Sequence, residues 1–465
     1  MDHCSIAHRQ IRRIGLLSPT SGNLGNAAMQ AAMIVNIRKR IAGVEFLGIT
    51  LNPDDTHRRH GIEAFPLAGT SRAYYGLFNS ASSEAGQRQL PKPGRIRRWL
   101  KTIPVLGGAL RGIRTCVVEL GHIVAAARVV RKLDRVIVPG GGALDDFWGG
   151  PWGQPWALFK WSVLSRVNGV PFLFVSIGKC SLERRLSRFF VRIALRLAEY
   201  RSYRDPGSKI AAQALIDAPD DQVYPDLAFS YPSPVNQASP DGALRGARLV
   251  VGVSPIAYCD PRAWPRKDER RYAAYVNQLA KMVSWLISEG CHVRFFTTDS
   301  ADAATVDDLH AMISASAING NVIQTLASST EQSPDSLLKG ISDVDLTIAS
   351  RLHGVILSHL NATPVLALSF DPKVDAHMNE VGQKDYCLSI DHLRLDTLIE
   401  RFTTLKAARA REQAHLRSAV QRFRHLLDLQ YDRILGASQS SPVTGERQNQ
   451  IEASSLSEIV GLRIR

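Results

Sequence analysis

At 465 residues the chain exceeds one ordinary hydrophobic core, which predicts two domains and a tail. Its apolar content of 45% is that of a soluble globular protein, no apolar run reaches the ~18 residues of a membrane span, and the first residues lead into charge instead of an apolar signal core, so the expected location is cytoplasmic. The net charge of +14 needs a partner or a bland explanation; no nucleic-acid module is recognisable, and basicity alone describes electrostatics. The six cysteines are scattered without C-x-x-C or metal-ligand spacing, as for thiols in a reducing compartment.

From the amino terminus, strand-like runs alternate with helix-like ones, separated by proline and glycine as in βα units. Strands are expected at 14–17, 44–50, 135–139, 171–176 and 200–203, and helices at 26–42 and 116–133. Residues 56–110 are less regular and read as an insertion or loops. Inside and just beyond that stretch, the segment 92–114 interleaves Lys92, Arg95, Arg97, Arg98, Lys101, Arg111 and Arg114 with Ile96, Trp99 and Leu100. It is either an interfacial segment for anionic lipid, giving peripheral contact with the inner face of the membrane, or a basic surface loop with apolar anchors. A polar, proline-containing stretch at 232–241 forms a hinge, dividing an amino-terminal domain (1–240) from a second one (241–436). The second series has strands at 247–253, 292–297 and 321–324, helices at 272–289 and 301–314, the 350–373 region, and a long helix pattern over 393–435. Residues 437–465, rich in Ser, Gln and Asn, are expected to be disordered. Two α/β series predict two facing Rossmann-like domains with a cleft between them, a glycosyltransferase-B-like architecture.

The run from Ile348 to Leu357 carries the most chemistry. A β-prone stretch delivers Ser350, Arg351 and His353 at the start of a helix-like run. In α/β proteins that is where backbone N–H groups and the helix dipole favour an anion. An arginine fork there can grip a phosphate or carboxylate, and a histidine can move protons near neutral pH. A local alternative is a solvated arginine and a histidine held by a backbone bond. The next strand, 365–368, ends in Asp371 and Lys373, which can reach the same ligand or simply pair with each other.

These residues resemble the polysaccharide pyruvyl transferases. The resemblance rests on Ser350, Arg351, Leu352, His353 and Gly354, followed by Pro364, Asp371, Lys373 and Val374. Upstream, Gly22-Asn23-Leu24-Gly25-Asn26 is similar to the family's G-N-x-G-D opening. Gly140-Gly141-Gly142, Ser176-Ile177-Gly178, Ser202-Tyr203-Arg204-Asp205 and Tyr224-Pro225-Asp226 follow in the family's order. Asn26 stands where an acid is usual, and Lys179 follows Gly178 where a small residue or proline is commoner.

The resemblance implies transfer of pyruvate from phosphoenolpyruvate, as co-substrate, to a sugar diol as a cyclic ketal in cell-surface polysaccharide assembly. No tightly bound cofactor and no metal is expected. The saccharide acceptor could be lipid-linked. It casts Arg351 and Arg204 as anion grips with Ser350, the Leu352–His353 backbone and Lys373, and His353 as acid/base. Locally, Arg204 could equally pair with Asp205. Asn23, Asn26, Gly141, Gly142 and Asp145 fall on the acceptor side, although Asp145 could instead cap a helix. Asp226 reads as a turn or inter-domain element. Trp148, Trp152 and Trp156 could stack on sugars but read as helix packing. Two other readings share the architecture: a nucleotide-sugar glycosyltransferase and a non-catalytic scaffold.

Overall fold

The computed structural model describes residues 11–19, 22–69, 104–147, 149–179, 182–232, 248–313, 323–326 and 333–436 (backbone only over 104–116). Two parallel sheets organise them. The first contains β1 (Arg13–Leu17), β2 (Glu45–Thr50), β3 (Glu63–Pro66), β4 (Arg135–Pro139), β5 (Phe172–Ile177), β6 (Tyr200–Tyr203) and β7 (Gln222–Val223), in the order β3-β2-β1-β4-β5-β6-β7. The second contains β8 (Val250–Ser254), β9 (His292–Phe295), β10 (Ile323–Thr325), β11 (Leu346–Ala349), β12 (Val365–Ser369) and β13 (Cys387–Ser389), in the order β10-β9-β8-β11-β12-β13. Helices cover both faces, so central strands such as β5, β11 and β12 are buried along their whole length and read as continuous apolar runs.

Strand order reverses between β1 and β4 in one sheet and between β8 and β11 in the other. The loops leaving those strands therefore splay apart and open a crevice at their carboxyl ends. The two crevices face each other. This is the predicted pair of Rossmann-like domains with a cleft.

Several boundaries differ from expectation. Residues 56–110 are not simply irregular: Thr56 lies in the helix Pro53–His60, Glu63–Pro66 pairs with β2, and a helix runs over Pro104–Val130. The edge strands β3, β7 and β13 are two to four residues long, too short for a periodic signal. Most of the 232–241 hinge, residues 92–103 of the basic segment, Trp148 and the tail 437–465 lie outside the described residues.

The 393–435 pattern is two helices, Leu395–Ala407 and Arg409–Leu435. The second leaves its own sheet and straps the first domain. Arg40 donates to Asp432 at 2.6 Å, and Arg424 donates to the Phe229 carbonyl at 3.1 Å. Gln430, fully buried, accepts from the Ser176 hydroxyl at 3.1 Å and donates to Ser202 at 2.7 Å. Ser176 sits at φ 50°, in the left-handed region, where the β5–β6 register shifts. The polar slot beneath β5 is thus filled by Gln430 of the helix Arg409–Leu435.

Candidate active site

Three helices of the two switch-point regions begin at the cleft: Leu24–Arg40 after β1, Leu352–Leu360 after β11 and Pro372–Glu380 after β12. An α-helix leaves its first N–H groups unpaired, and a polar side chain at the cap usually satisfies one. Asn23 does so for the first, accepting from Asn26 N–H at 3.0 Å, and Asp371 does so for the third, accepting from Lys373 N–H at 3.1 Å. The helix Leu352–Leu360 has Arg351 at its cap and no side-chain cap bond. Its first-turn N–H groups remain for a ligand.

Arg351 itself is committed. It donates through Nε to Asp302 and through Nη2 to the other Asp302 oxygen at 2.8 Å, while Nη1 stands 3.5 Å from Asp299. Asp302 is fully buried, and burial pushes its carboxyl up to about 6 against the pull of Arg351. Asn23 donates to Asp299 at 2.8 Å, while Leu24 N–H donates to the Thr298 carbonyl at 2.8 Å. Asn23, expected on the acceptor side, lines the cleft and is also a helix cap and a tie between the domains. Arg351 lines the cleft, but most of its fork already grips protein carboxylate. Ser350 is absent from the cleft wall: it is buried, and its hydroxyl lies 2.9 Å from that of buried Tyr275.

Beside this cluster stands a second one. Arg204 donates to Asp226 at 3.2 Å, and its distance to Asp205 is 3.9 Å. Asp205 is occupied in capping the helix Pro206–Gln213 through Ser208 N–H at 2.7 Å. The local pairing of Arg204 with Asp205 is thus the weaker contact. Asp226 caps the turn Leu227–Ser230 and also faces His353, whose Nε2 is 3.8 Å away. Burial opposes ionisation of Asp226, but the adjoining His353 and Arg204 outweigh it and hold the carboxyl below its usual range. Burial lowers the His353 imidazole to about 4, with Asp226 pulling the other way. The ring is neutral at pH 7, and with it neutral, Arg204 is the cation that keeps Asp226 charged. Buried His353 Nε2 has no hydrogen-bond partner. Such an atom is costly unless a ligand uses it.

Two glycines make the convergence possible. A Cβ on Gly25 would lie 2.0 Å from His353 Cγ, and a Cβ on Gly178 would lie 2.4 Å from Arg204 Nη2. Gly25 and Gly178 are the seats for a ring and a fork of the site. Gly25→Ala is expected to displace His353 and lower turnover at least about tenfold, since misplacement near 1 Å can cost a hundredfold. Unchanged kinetics in a folded Gly25→Ala protein would show that the His353 position is immaterial.

The cleft encloses about 240 Å³ between the two domains. Gly141, Gly142, Asp145, Asn26 and Gln154 line it from the first domain, and Leu352, His353, Arg351, Lys373, Trp264 and Phe370 from the second. Gly141, at φ 73°, is in a conformation open to glycine, and Asn26 packs over it. Asp145 accepts from Phe147 N–H at 2.8 Å, which makes a turn and not a helix cap. Lys373 pairs with Asp371 at 3.1 Å and lies over the Phe370 ring, 5.6 Å from its centroid. Among the described residues no His, Cys, Asp and Glu cluster is placed to hold a metal ion.

The polysaccharide pyruvyl transferase family model matches residues 23–372. The chain belongs to that family. No curated protein matches it. Among solved structures, S. aureus MnaA in its UDP co-structure is similar at 10% identity with TM-score 0.53, covering 88% of this chain and 91% of that one. A UDP-N-acetylglucosamine 2-epimerase is similar at 10% and 0.53, covering 94% and 99%. A glycosyltransferase from Rickettsia africae is similar at 11% and 0.50, covering 93% and 100%. At these identities the likeness concerns the fold, which is of the glycosyltransferase-B type.

In this pyruvyl transferase family member, sequence reasoning missed Asp299, Asp302, Trp264 and Phe370. Trp264 and Phe370 meet edge-on at 5.6 Å, and Phe147 reaches Trp264 from the first domain at 6.3 Å. Trp264 and Phe370, and neither Trp152 nor Trp156, bring aromatic surface to the cleft. Trp156 instead donates to Glu119 at 2.9 Å and packs on Phe190. Aspartates near a strand end were the available signal for Asp299 and Asp302.

Proposed function

We propose that this family member transfers pyruvate from phosphoenolpyruvate to two hydroxyls of a sugar, forming a cyclic ketal and releasing phosphate, as a step in cell-surface polysaccharide biosynthesis. The observation that carries the reading is the uncapped helix start at Leu352 and His353, facing a cleft that also holds Lys373 and Arg204. N–H groups at a helix start and nearby cations suit a donor with a phosphate and a carboxylate.

In the reaction a proton adds to the enol carbon C3 and a sugar oxygen bonds to C2. The C2–O bond to phosphate breaks, and a second sugar oxygen takes its place. The hydroxyls give up two protons, one balancing C3 and one leaving with phosphate. A neutral imidazole with an unpartnered nitrogen is suited to accept a hydroxyl proton, and ionised Asp226 would then stabilise the imidazolium. Arg351, held by Asp302, fixes the start of the donor helix. Asn26, Asp145 and the backbone at Gly141 and Gly142 are placed to contact acceptor hydroxyls, with Trp264 and Phe370 offering ring faces.

Calorimetric titration of phosphoenolpyruvate into wild type and Lys373→Ala tests this, with a uridine diphosphate-sugar as control. Saturable binding is expected, weakened about tenfold or more in the variant, since charge-assisted contacts contribute ~1.5–3 kcal/mol. No binding, even with candidate glycans present, would remove the pyruvyl-transfer reading. Saturable nucleotide-sugar binding would support the glycosyltransferase reading in its place.

A further inference from the structure

We propose that the helix layer covering the outer face of the first sheet docks on an anionic lipid membrane. Docking there would bring the acceptor wall of the cleft to the lipid surface. That second statement rests on the pyruvyl-transfer reading with a lipid-linked acceptor; lipid binding itself does not.

The helices Pro104–Val130, Gln154–Val167 and Arg185–Leu197 follow β3, β4 and β5 and bury Ala126, Val130, Leu158, Trp161, Val191 and Leu195 against one core. Their outer surface is unusual. Val117, Leu120 and Val124 form one stripe at helical spacing and are exposed. Trp152, at the turn preceding the second helix, is 61% exposed, and Phe189 on the third is 51% exposed. Among the described residues only Ile210, Met312 and Leu429 are exposed large apolar side chains away from this layer.

Charge points to the occupant. Arg185, Arg188, Arg192 and Arg196 recur every three or four residues, forming an exposed ridge on a helix that has no acidic residue. Leu186 and Phe189 lie along its flank, and Phe189 meets Phe159 of the neighbouring helix at 6.4 Å between ring centres. Aromatic and aliphatic groups beside an arginine ridge match the boundary between acyl chains and anionic headgroups. Nucleic acid would use the charge but not the apolar stripe. A second copy packed ridge to ridge would set arginine against arginine. No helix among the described residues is long and apolar enough to cross a membrane, so the contact is one of lying on the surface.

The layer is joined to the cleft. Trp152 stands in the chain between Asp145 and Gln154, both of which line the cleft. Asp146, buried, accepts from the N–H groups of Glu183 at 3.1 Å and Arg184 at 2.9 Å, fastening the start of the arginine helix to the same loop. An acceptor tethered to lipid would then meet the cleft from its near side.

The test is flotation of the full chain with vesicles of phosphatidylcholine alone or with about one third phosphatidylglycerol, without substrates. Binding is expected to the anionic vesicles only and to fall with salt. In Arg185→Glu/Arg192→Glu it should drop at least about twenty-fivefold, since each basic side chain near such a surface contributes about fivefold. Phe189→Ser, an exposed change that should fold normally, is expected to weaken it as well. No binding to anionic vesicles overturns the proposal, as does binding that both variants retain, or self-association that buries the layer instead. Because phosphoenolpyruvate titration is a separate measurement, lipid docking and pyruvyl transfer can fail independently.

Discussion

Replacing Arg351 with alanine is expected to cost about 3–5 kcal/mol of stability, the range for breaking a buried ion pair and leaving its partner uncompensated. Asp302 is fully buried, accepts two bonds from Arg351 and a third from Ala257 N–H at 2.9 Å. Without the guanidinium that carboxylate must either take up a proton or draw in water. Asp299, which accepts from Asn23 across the domain boundary, would lose its cation too. Chemical denaturation of wild type, Arg351→Ala and Arg351→Ala/Asp302→Ala checks the account. The double variant should recover part of the loss, because no buried charge is then left alone. If Arg351→Ala unfolded at the wild-type midpoint, the cluster would not be stabilising. It follows that lost donor binding in Arg351→Ala would not by itself place the donor at that side chain.

His353→Gln is expected to lower kcat by about 10²–10⁴-fold, the usual span for a positioned acid or base, while phosphoenolpyruvate affinity changes little. Wild-type turnover in this variant would end the proton-transfer role. The same residue makes a pH prediction. Its folded imidazole titrates at about 4, below the ordinary 6.5, so between those values the unfolded chain binds a proton that the folded one does not. Stability contributed by the neutral ring is complete above pH 6.5 and is lost as pH falls toward 4, by up to about 3 kcal/mol. Half-buried His60, also lowered to about 4, and buried His359 act in the same direction. Asp302 opposes them: raised to about 6, its folded form gains the proton first, which favours the folded state as pH falls from 6. Melting temperatures of His353→Gln should therefore fall less than wild type between pH 6.5 and 4. An identical decline would show that His353 is not held neutral.

Much of the site was legible because its parts are local. A strand followed at once by Arg351, Leu352 and His353 specifies a helix start at a sheet end, and the glycines at 140–142 mark the turn that lines the cleft. What could not be read was partnership. Asp302 lies 49 positions before Arg351 and Asp226 lies 127 before His353, and neither stretch marks which carboxylate faces which cation. Ser350 escaped for a different reason: β11 is buried on both faces, so alternation along it gives no clue to which side its next residue takes. Gly25 and Gly178 were visible as motif glycines, but their reason, room for a histidine and an arginine from elsewhere, exists only in three dimensions. Trp264 and Phe370 carried no periodic signal because both come from loops.

The strap formed by Arg409–Leu435 has a consequence for biosynthesis. Domains ordinarily fold as they emerge, the amino-terminal one first. Here the left-handed Ser176 and the hydroxyl of Ser202 find their buried partner in Gln430, more than 200 residues downstream. The first sheet can collapse early around its apolar strands, but the floor of β5 stays incomplete until Gln430 has left the ribosome. The nascent first domain is thus a waiting form with an open polar slot, and synthesis stopped short of Gln430 leaves it in that form.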